Sequence, residues 1–220
     1  MDEKLEKLLD GKRAYIFDLD GTLADSEKLQ WEAHKQVLKE MFGVTLDDEH
    51  IYTYLGMAEP ALFQAYERDF NFSMGGEKGY AKYAKKRAKV AEKLVLKQAT
   101  AFRYVQEVLA SGGLGKRWYL VTAQNPHLVV KMLKKWNFMR FFDPMKNVFI
   151  CDGEHNKAYY YDEIVKILKN AKPEQIVLFE DVNKWLQEGK KRGFKTVGID
   201  NNFGPEKLEA DLVVKTQDVA

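Results

Sequence analysis

Arg13-Ala-Tyr-Ile-Phe-Asp18-Leu-Asp-Gly-Thr22 is the stretch that decides the fold. Four apolar residues rich in β-formers run without interruption into two acids and a glycine. That is the pattern of a buried strand ending in a polar turn. Four later segments repeat its character: Arg117–Thr122, Asn147–Cys151, Gln175–Glu180 and Lys195–Asp200, with Asp211–Val214 as a possible sixth. Near-continuous apolarity implies burial on both faces, as in a parallel sheet. Helical patterns fill the gaps. Asn125 and Pro126 suit an N-cap and a first helical position, ahead of Leu128, Val129, Met132, Leu133 and Trp136 at helical spacing. Tyr161, Ile164, Val165 and Leu168 form a second stripe, and a third helix is expected from about Lys184 to Arg192, stopped by Gly193. Strands alternating with helices predict an α/β fold built on a doubly wound parallel sheet.

The span from Ala24 to Ala99 breaks that alternation. It reads as helix upon helix, Ser26–Phe42, Met57–Asp69 and Glu77–Leu96, with no convincing strand. We expect an all-helical domain over 24–99 inserted into an α/β core formed by 1–23 and 100–220.

Composition narrows the function. The chain has 220 residues, 45% hydrophobic and 31% charged, an ordinary mixture for a folded protein. No apolar run approaches the roughly 20 residues that cross a bilayer, and Met1 to Asp10 lacks the apolar stretch of a secretory signal. A single cysteine, Cys151, rules out an internal disulfide framework and a multi-cysteine zinc site, so a cytoplasmic location is expected. A net charge of +2 is too balanced to announce a nucleic-acid binder. The basic residues are clustered, however. Lys78, Lys82, Lys85, Lys89 and Lys93 share one face of the expected helix 77–97, which is either a solvated face or one that attracts an anionic substrate.

Asp18 and Asp20 stand where the first strand ends, and in open α/β sheets ligands bind outside the carboxyl ends of strands. An EF-hand loop is excluded, because its sixth and twelfth positions would be Leu23 and Leu29. Glu180 and Asp181 end another apolar strand in the same way. Adjacent acids there are costly if buried unpaired, so a cation or solvent is expected. The four carboxylates make an oxygen-rich set suited to a hard ion such as Mg²⁺. Thr122, at a third strand end, offers a hydroxyl. The glycines of 112–115 precede a strand and are not a dinucleotide loop; Cys151 and the scattered His34, His50, His127 and His155 carry no catalytic or metal-ligand pattern.

From Asp18 through Asp200 this set resembles the haloacid dehalogenase-like hydrolase superfamily, in its phosphatase branch with a helical cap after the first motif. The resemblance implies that Asp18 attacks phosphorus to form an aspartyl-phosphate, and that Asp20 is general acid and base and lends a backbone carbonyl to Mg²⁺. It implies that Thr122 and Ala123 contact the transferring phosphoryl group, that Lys157 is the third-motif lysine, and that Asp181 binds the metal directly and Glu180 through a water. Here the lysine sits in Asn156-Lys157-Ala158 where relatives often have Gly-Lys-Pro, leaving Lys146 as a rival. Gln124 follows Ala123 where many relatives place a small polar residue. The loop Leu55-Gly56-Met57-Ala58-Glu59 resembles the cap segment that selects substrate, with Gly56 as its candidate contact.

The expected activity is Mg²⁺-dependent hydrolysis of a small phosphorylated metabolite by a monomer, with no nucleic-acid or membrane partner. Hydrolysis of phosphate monoesters demands accelerations of up to ~10²¹-fold, roughly 28 kcal/mol, whereas one well-placed donor supplies ~3–4 kcal/mol, so several groups must act together. The alternatives are a β-phosphoglucomutase-like phosphomutase of the same fold and a non-catalytic metal-dependent binding protein.

Overall fold

The computed structural model describes residues 2–57, 59–111, 116–152, 154–204 and 207–216. The glycines of 112–115, Ala58 of the expected selectivity loop and the tail beyond Thr216 lie outside the described residues. Two compact units are present, Met1–Asp25 with Thr100–Ala220, and Ser26–Ala99.

The first unit is a six-stranded sheet in the order β3-β2-β1-β4-β5-β6, every pairing parallel. The strands are β1 Ala14–Phe17, β2 Arg117–Thr122, β3 Val148–Ile150, β4 Ile176–Glu180, β5 Lys195–Asp200 and β6 Leu212–Lys215. Helices α1 Glu3–Leu9, α6 Arg103–Ser111, α7 Pro126–Lys135, α8 Lys157–Leu168 and α9 Asn183–Lys191 belong to the same unit. The doubly wound α/β fold read from the alternation is the observed one. Strand β1 is hydrogen-bonded on both edges, with Phe17 level with Leu120 of β2 and Phe179 of β4. The strand order reverses at the β1–β4 junction, where a doubly wound sheet opens its ligand crevice.

Alternation along β1 divides the core. Tyr15 and Phe17 face an aromatic layer in which Phe17 stacks on Phe179 at 4.4 Å and Tyr15 on Trp118 at 4.8 Å. Ala14 and Ile16 face the opposite layer, with Val121, Leu178, Tyr161 and Ile164. Each fully buried side chain of this size contributes ~1.5–3 kcal/mol, which fixes the register of the strand tips that follow.

Expected element ends shift slightly for local reasons. The stretch Asn147–Cys151 is a strand only over Val148–Ile150; the Asn147 backbone amide closes the preceding turn by donating to the Asp143 carbonyl at 3.1 Å. Helix α9 ends at Lys191, and Gly193 turns the chain at φ +78°. The Asn125 side chain accepts from the His127 amide, and Pro126 opens α7, as the sequence implied. Short helices α1 and α6 were not anticipated.

The second unit holds α2 Glu27–Phe42, α3 Asp48–Tyr54, α4 Glu59–Phe70 and α5 Gly76–Gln98. Helix α3 was not expected; it is started by the Asp47 side chain, which accepts from the His50 amide. At its centre His34 shares Nδ1 with the hydroxyls of Tyr83 at 2.7 Å and Tyr66 at 3.2 Å. Burial, then the charge of Arg87, holds the His34 pKa well below the usual histidine range. Lys78, Lys82, Lys85, Lys89 and Lys93 are all exposed along α5. Among the described residues no helix is long and apolar enough to cross a membrane.

The chain leaves and re-enters the α/β unit through paired segments. The Asp25 amide donates to the Thr100 carbonyl at 3.0 Å, Ala24 and Ala101 form an antiparallel bridge, and the Phe102 amide donates to the Leu23 carbonyl at 3.0 Å.

Candidate active site

The tips of β1, β2, β4 and β5 converge on one constellation within the α/β unit. Asp18 follows β1 directly, and its amide continues the ladder by donating to the Phe179 carbonyl at 3.1 Å. The turn that follows is tight, with the Gly21 amide donating to the Ala24 carbonyl at 2.9 Å. Gly21 has φ +77°, and a Cβ there would lie 2.0 Å from Asp181 Oδ2 and 2.6 Å from Asn201 Nδ2. Only glycine fits both the backbone and the space.

Lys157 is the positive centre of the cluster. As the first residue of α8 it is carried inward, its side chain 8% exposed. Its Nζ lies 2.8 Å from Asp18 Oδ1 and 3.1 and 2.9 Å from the two oxygens of Glu180. Burial alone would lower its proton affinity, but the charges of Asp18 and Glu180 outweigh that and hold its pKa well above the ordinary lysine value. Glu180, completely buried, is pushed well above the usual carboxylate range by burial; Lys157 offsets this in part, while Asp18 and Asp181 add to it. Lys146, the rival for this role, pairs instead with Asp143 at 3.2 Å and is largely exposed.

Asp181 faces the Gly21 turn. Its Oδ1 accepts from the Thr22 hydroxyl at 3.1 Å and its Oδ2 from Asn201 Nδ2 at 2.9 Å. Asn201 also donates to the Gly21 carbonyl at 3.0 Å, and the Tyr104 hydroxyl donates to the Thr22 carbonyl. Burial and the negative charge of Asp18 raise the Asp181 pKa to about 7, against the opposing effects of Lys157 and Thr22.

Oxygens of Asp18, Glu180 and Asp181 all lie within 4.8 Å of one another. Three carboxylates cluster beside the Lys157 ammonium, and burial, then the charge of Asp18, raises the Asp181 pKa. A hard divalent cation fits such an all-oxygen donor set. Both Glu180 oxygens are engaged by Lys157.

Thr122 ends β2 almost completely buried, its carbonyl accepting from the Cys151 amide at 2.8 Å and its hydroxyl from the Gln124 amide at 3.1 Å. Ala123 follows it, exposed. Asp20 stands apart from the three clustered acids and accepts from Gln124 Nε2 at 2.9 Å. Cys151 has its pKa raised to about 11, chiefly by burial, which suits an inert thiol.

Asp18, Asp20, Thr122, Glu180 and Asp181 thus lie at neighbouring strand tips, and Lys157 joins Asp18 and Glu180 from the start of α8. Gly56 belongs to the helical unit, exposed at φ +77° after α3. Sequence reasoning missed Asn201 and gave Gln124 no role. Asn201 directly follows β5, so the strand-end rule that found the acids applied to it equally.

The sequence matches the family described as haloacid dehalogenase-like hydrolase over residues 15–199. A curated relative, the phosphorylated carbohydrates phosphatase of Thermotoga maritima, is 28% identical over 218 residues, covering 94% of this chain and 95% of that protein. Among solved structures, CbbY from Rhodobacter sphaeroides in complex with phosphate superposes with a TM-score of 0.78 at 18% identity, covering 92% of this chain and 93% of that one. A putative β-phosphoglucomutase from Thermotoga maritima superposes with a TM-score of 0.66 at 20% identity, covering 94% and 96%. Motif, topology and family match agree, and the chain belongs to the haloacid dehalogenase-like hydrolases.

Proposed function

We propose that this chain is a Mg²⁺-dependent phosphatase that hydrolyses a small phosphate monoester through an aspartyl-phosphate on Asp18. The observation that carries it is the juxtaposition of Asp18, Lys157 and Asp181 at the tips of β1 and β4, with Thr122 at the tip of β2. Asp18 and Asp181, with the Asp20 carbonyl and with Glu180 through a water, would hold Mg²⁺, which when bound would neutralise charge on the phosphoryl oxygens.

The residues divide the work. Asp18 gives an electron pair from a carboxylate oxygen to phosphorus as the P–O bond to the leaving alcohol breaks. Asp20 delivers its proton to that alcohol oxygen. Lys157 and the Thr122 hydroxyl offer donors to the phosphoryl oxygens, where negative charge must be held during transfer. In the second half, Asp20 takes a proton from water as its oxygen attacks phosphorus, and Asp18 departs as a carboxylate with inorganic phosphate released. Glu180 keeps Lys157 charged and aimed. Residues 26–99 are read as the helical cap domain, with Gly56 as its candidate substrate contact and the exposed α5 lysines as an attraction for negative charge.

The likeness to a phosphorylated carbohydrates phosphatase favours sugar phosphates as the substrate class. The test is a panel of sugar phosphates and other small phosphate esters with Mg²⁺, scored for both inorganic phosphate and rearranged sugar phosphate. Phosphate release from a sugar phosphate is expected. Isomerisation without phosphate release would overturn the phosphatase reading in favour of a mutase.

A further inference from the structure

We propose that Gln124 is a positioning residue that holds the Asp20 carboxylate where it serves the leaving-group oxygen. The inference rests on the reading of Asp20 as general acid and base. Gln124 makes three hydrogen bonds, and together they fix its amide. Nε2 donates to Asp20 Oδ2 at 2.9 Å, Oε1 accepts from the Asn125 amide at 2.9 Å, and the backbone amide donates to the Thr122 hydroxyl at 3.1 Å. Because Oε1 faces an obligate backbone donor, a flipped amide would set two donors against each other. The nitrogen therefore faces Asp20.

The anchors on either side of Gln124 are themselves held. Thr122 is locked at the end of β2 by the Cys151 amide, and Asn125 caps α7 through the His127 amide. The contact thus ties the tip of β2 to the turn after β1, across 104 residues of sequence. Asp20 is only partly buried and is not among the three acids that cluster beside Lys157. General acid catalysis contributes roughly 10²–10⁴-fold, and a misplacement of ~1 Å costs about 10²-fold, so loss of the Gln124 contact should cost part of that effect.

The experiment compares kcat/KM for p-nitrophenyl phosphate, phenyl phosphate and glycerol 2-phosphate in saturating Mg²⁺. With these esters kcat/KM reports the steps through alcohol release. A nitrophenolate departs without a proton, whereas an alkoxide needs one. Gln124→Leu should lose about tenfold or more on glycerol 2-phosphate and less than about threefold on p-nitrophenyl phosphate, steepening the dependence on leaving-group pKa. Gln124→Glu, which keeps the acceptor for Asn125 but sets a carboxylate against Asp20, should show the same selective loss and carries the test if the leucine variant folds poorly. Equal losses on all three esters, or none, would overturn the positioning role. Asp20→Asn run alongside separates the two levels. If it shows no selective loss, the reading of Asp20 has failed; if it does and the Gln124 variants do not, only the role of Gln124 has failed.

Discussion

Replacing Lys157 by methionine keeps most of the side chain, ending it at the Cε position, and deletes one charge from a site that holds three carboxylates. At 2.8 Å from Asp18 and 2.9 Å from Glu180, and at an effective dielectric of about 20, each lost attraction is about 6 kcal/mol gross. The protein has a cheaper response than bearing that loss. One extra proton can bind among the acids and restore the net charge of the cluster. Taking a carboxyl with an unfolded-state pKa of about 4.3 to its protonated form at pH 7 costs about 1.36 × 2.7, or about 4 kcal/mol. That is a ceiling, since a buried ammonium no longer has to be desolvated, and a loss between about 2 and 4 kcal/mol is expected. The variant gains its proton on folding, so its deficit must shrink with acid, to about 1 kcal/mol or less at pH 5. Urea unfolding of metal-free protein at pH 7 and pH 5 measures both numbers. A deficit below about 1 kcal/mol at pH 7, or one that does not fall on acidification, would refute the placement of Lys157 as counter-charge to Asp18 and Glu180.

Asp18→Asn should abolish turnover of every phosphate ester while circular dichroism shows an intact fold; turnover near wild type would mean another nucleophile. Gly21→Ala places a methyl 2.0 Å from Asp181 Oδ2 at φ +77°, so the Mg²⁺ concentration for half-maximal activity should rise tenfold or more, with about 1–2 kcal/mol of stability lost to the backbone alone. An unchanged Mg²⁺ requirement would remove Asp181 from the metal site. His34, buried and neutral in the fold, titrates near pH 6.5 once unfolded, so the unfolded chain binds more protons below that pH. Stability should fall by up to about 1.4 kcal/mol per unit as pH drops from 6.5 toward the depressed folded value. His34→Gln should flatten that slope in urea titrations at pH 7.5 and 5.5, and a parallel slope would show that His34 is not the responsible group.

The α/β architecture was legible because both-face burial leaves near-continuous apolar runs such as Tyr15–Phe17 and Ile176–Phe179, and because each run is followed by a helical period. Asp18, Asp20, Glu180 and Asp181 were legible for a related reason: acids abutting an apolar strand have nowhere to go but its tip. Less visible were α1, α3 and α6, of 7, 7 and 9 residues, too short for periodicity to separate from a loop. The pairing of Lys157 with both Asp18 and Glu180 depends on where α8 begins in space, which spacing along the chain does not encode. Gln124 and Asn201 act as amides toward carboxylates 104 and 20 residues away, and an amide is chemically too common for sequence to single out.

The bridged segments at Ala24 and Ala101 have a consequence for the insertion between them. Departure and return run side by side, so residues 26–99 leave and rejoin the α/β unit at one place in the chain path. Splicing Asp25 to Thr100 through a short glycine-rich tether need not move a single strand, since loop length enters closure entropy only logarithmically. The trimmed protein should retain the strand-tip carboxylates and bind a divalent ion, while losing whatever discrimination among esters the helices confer.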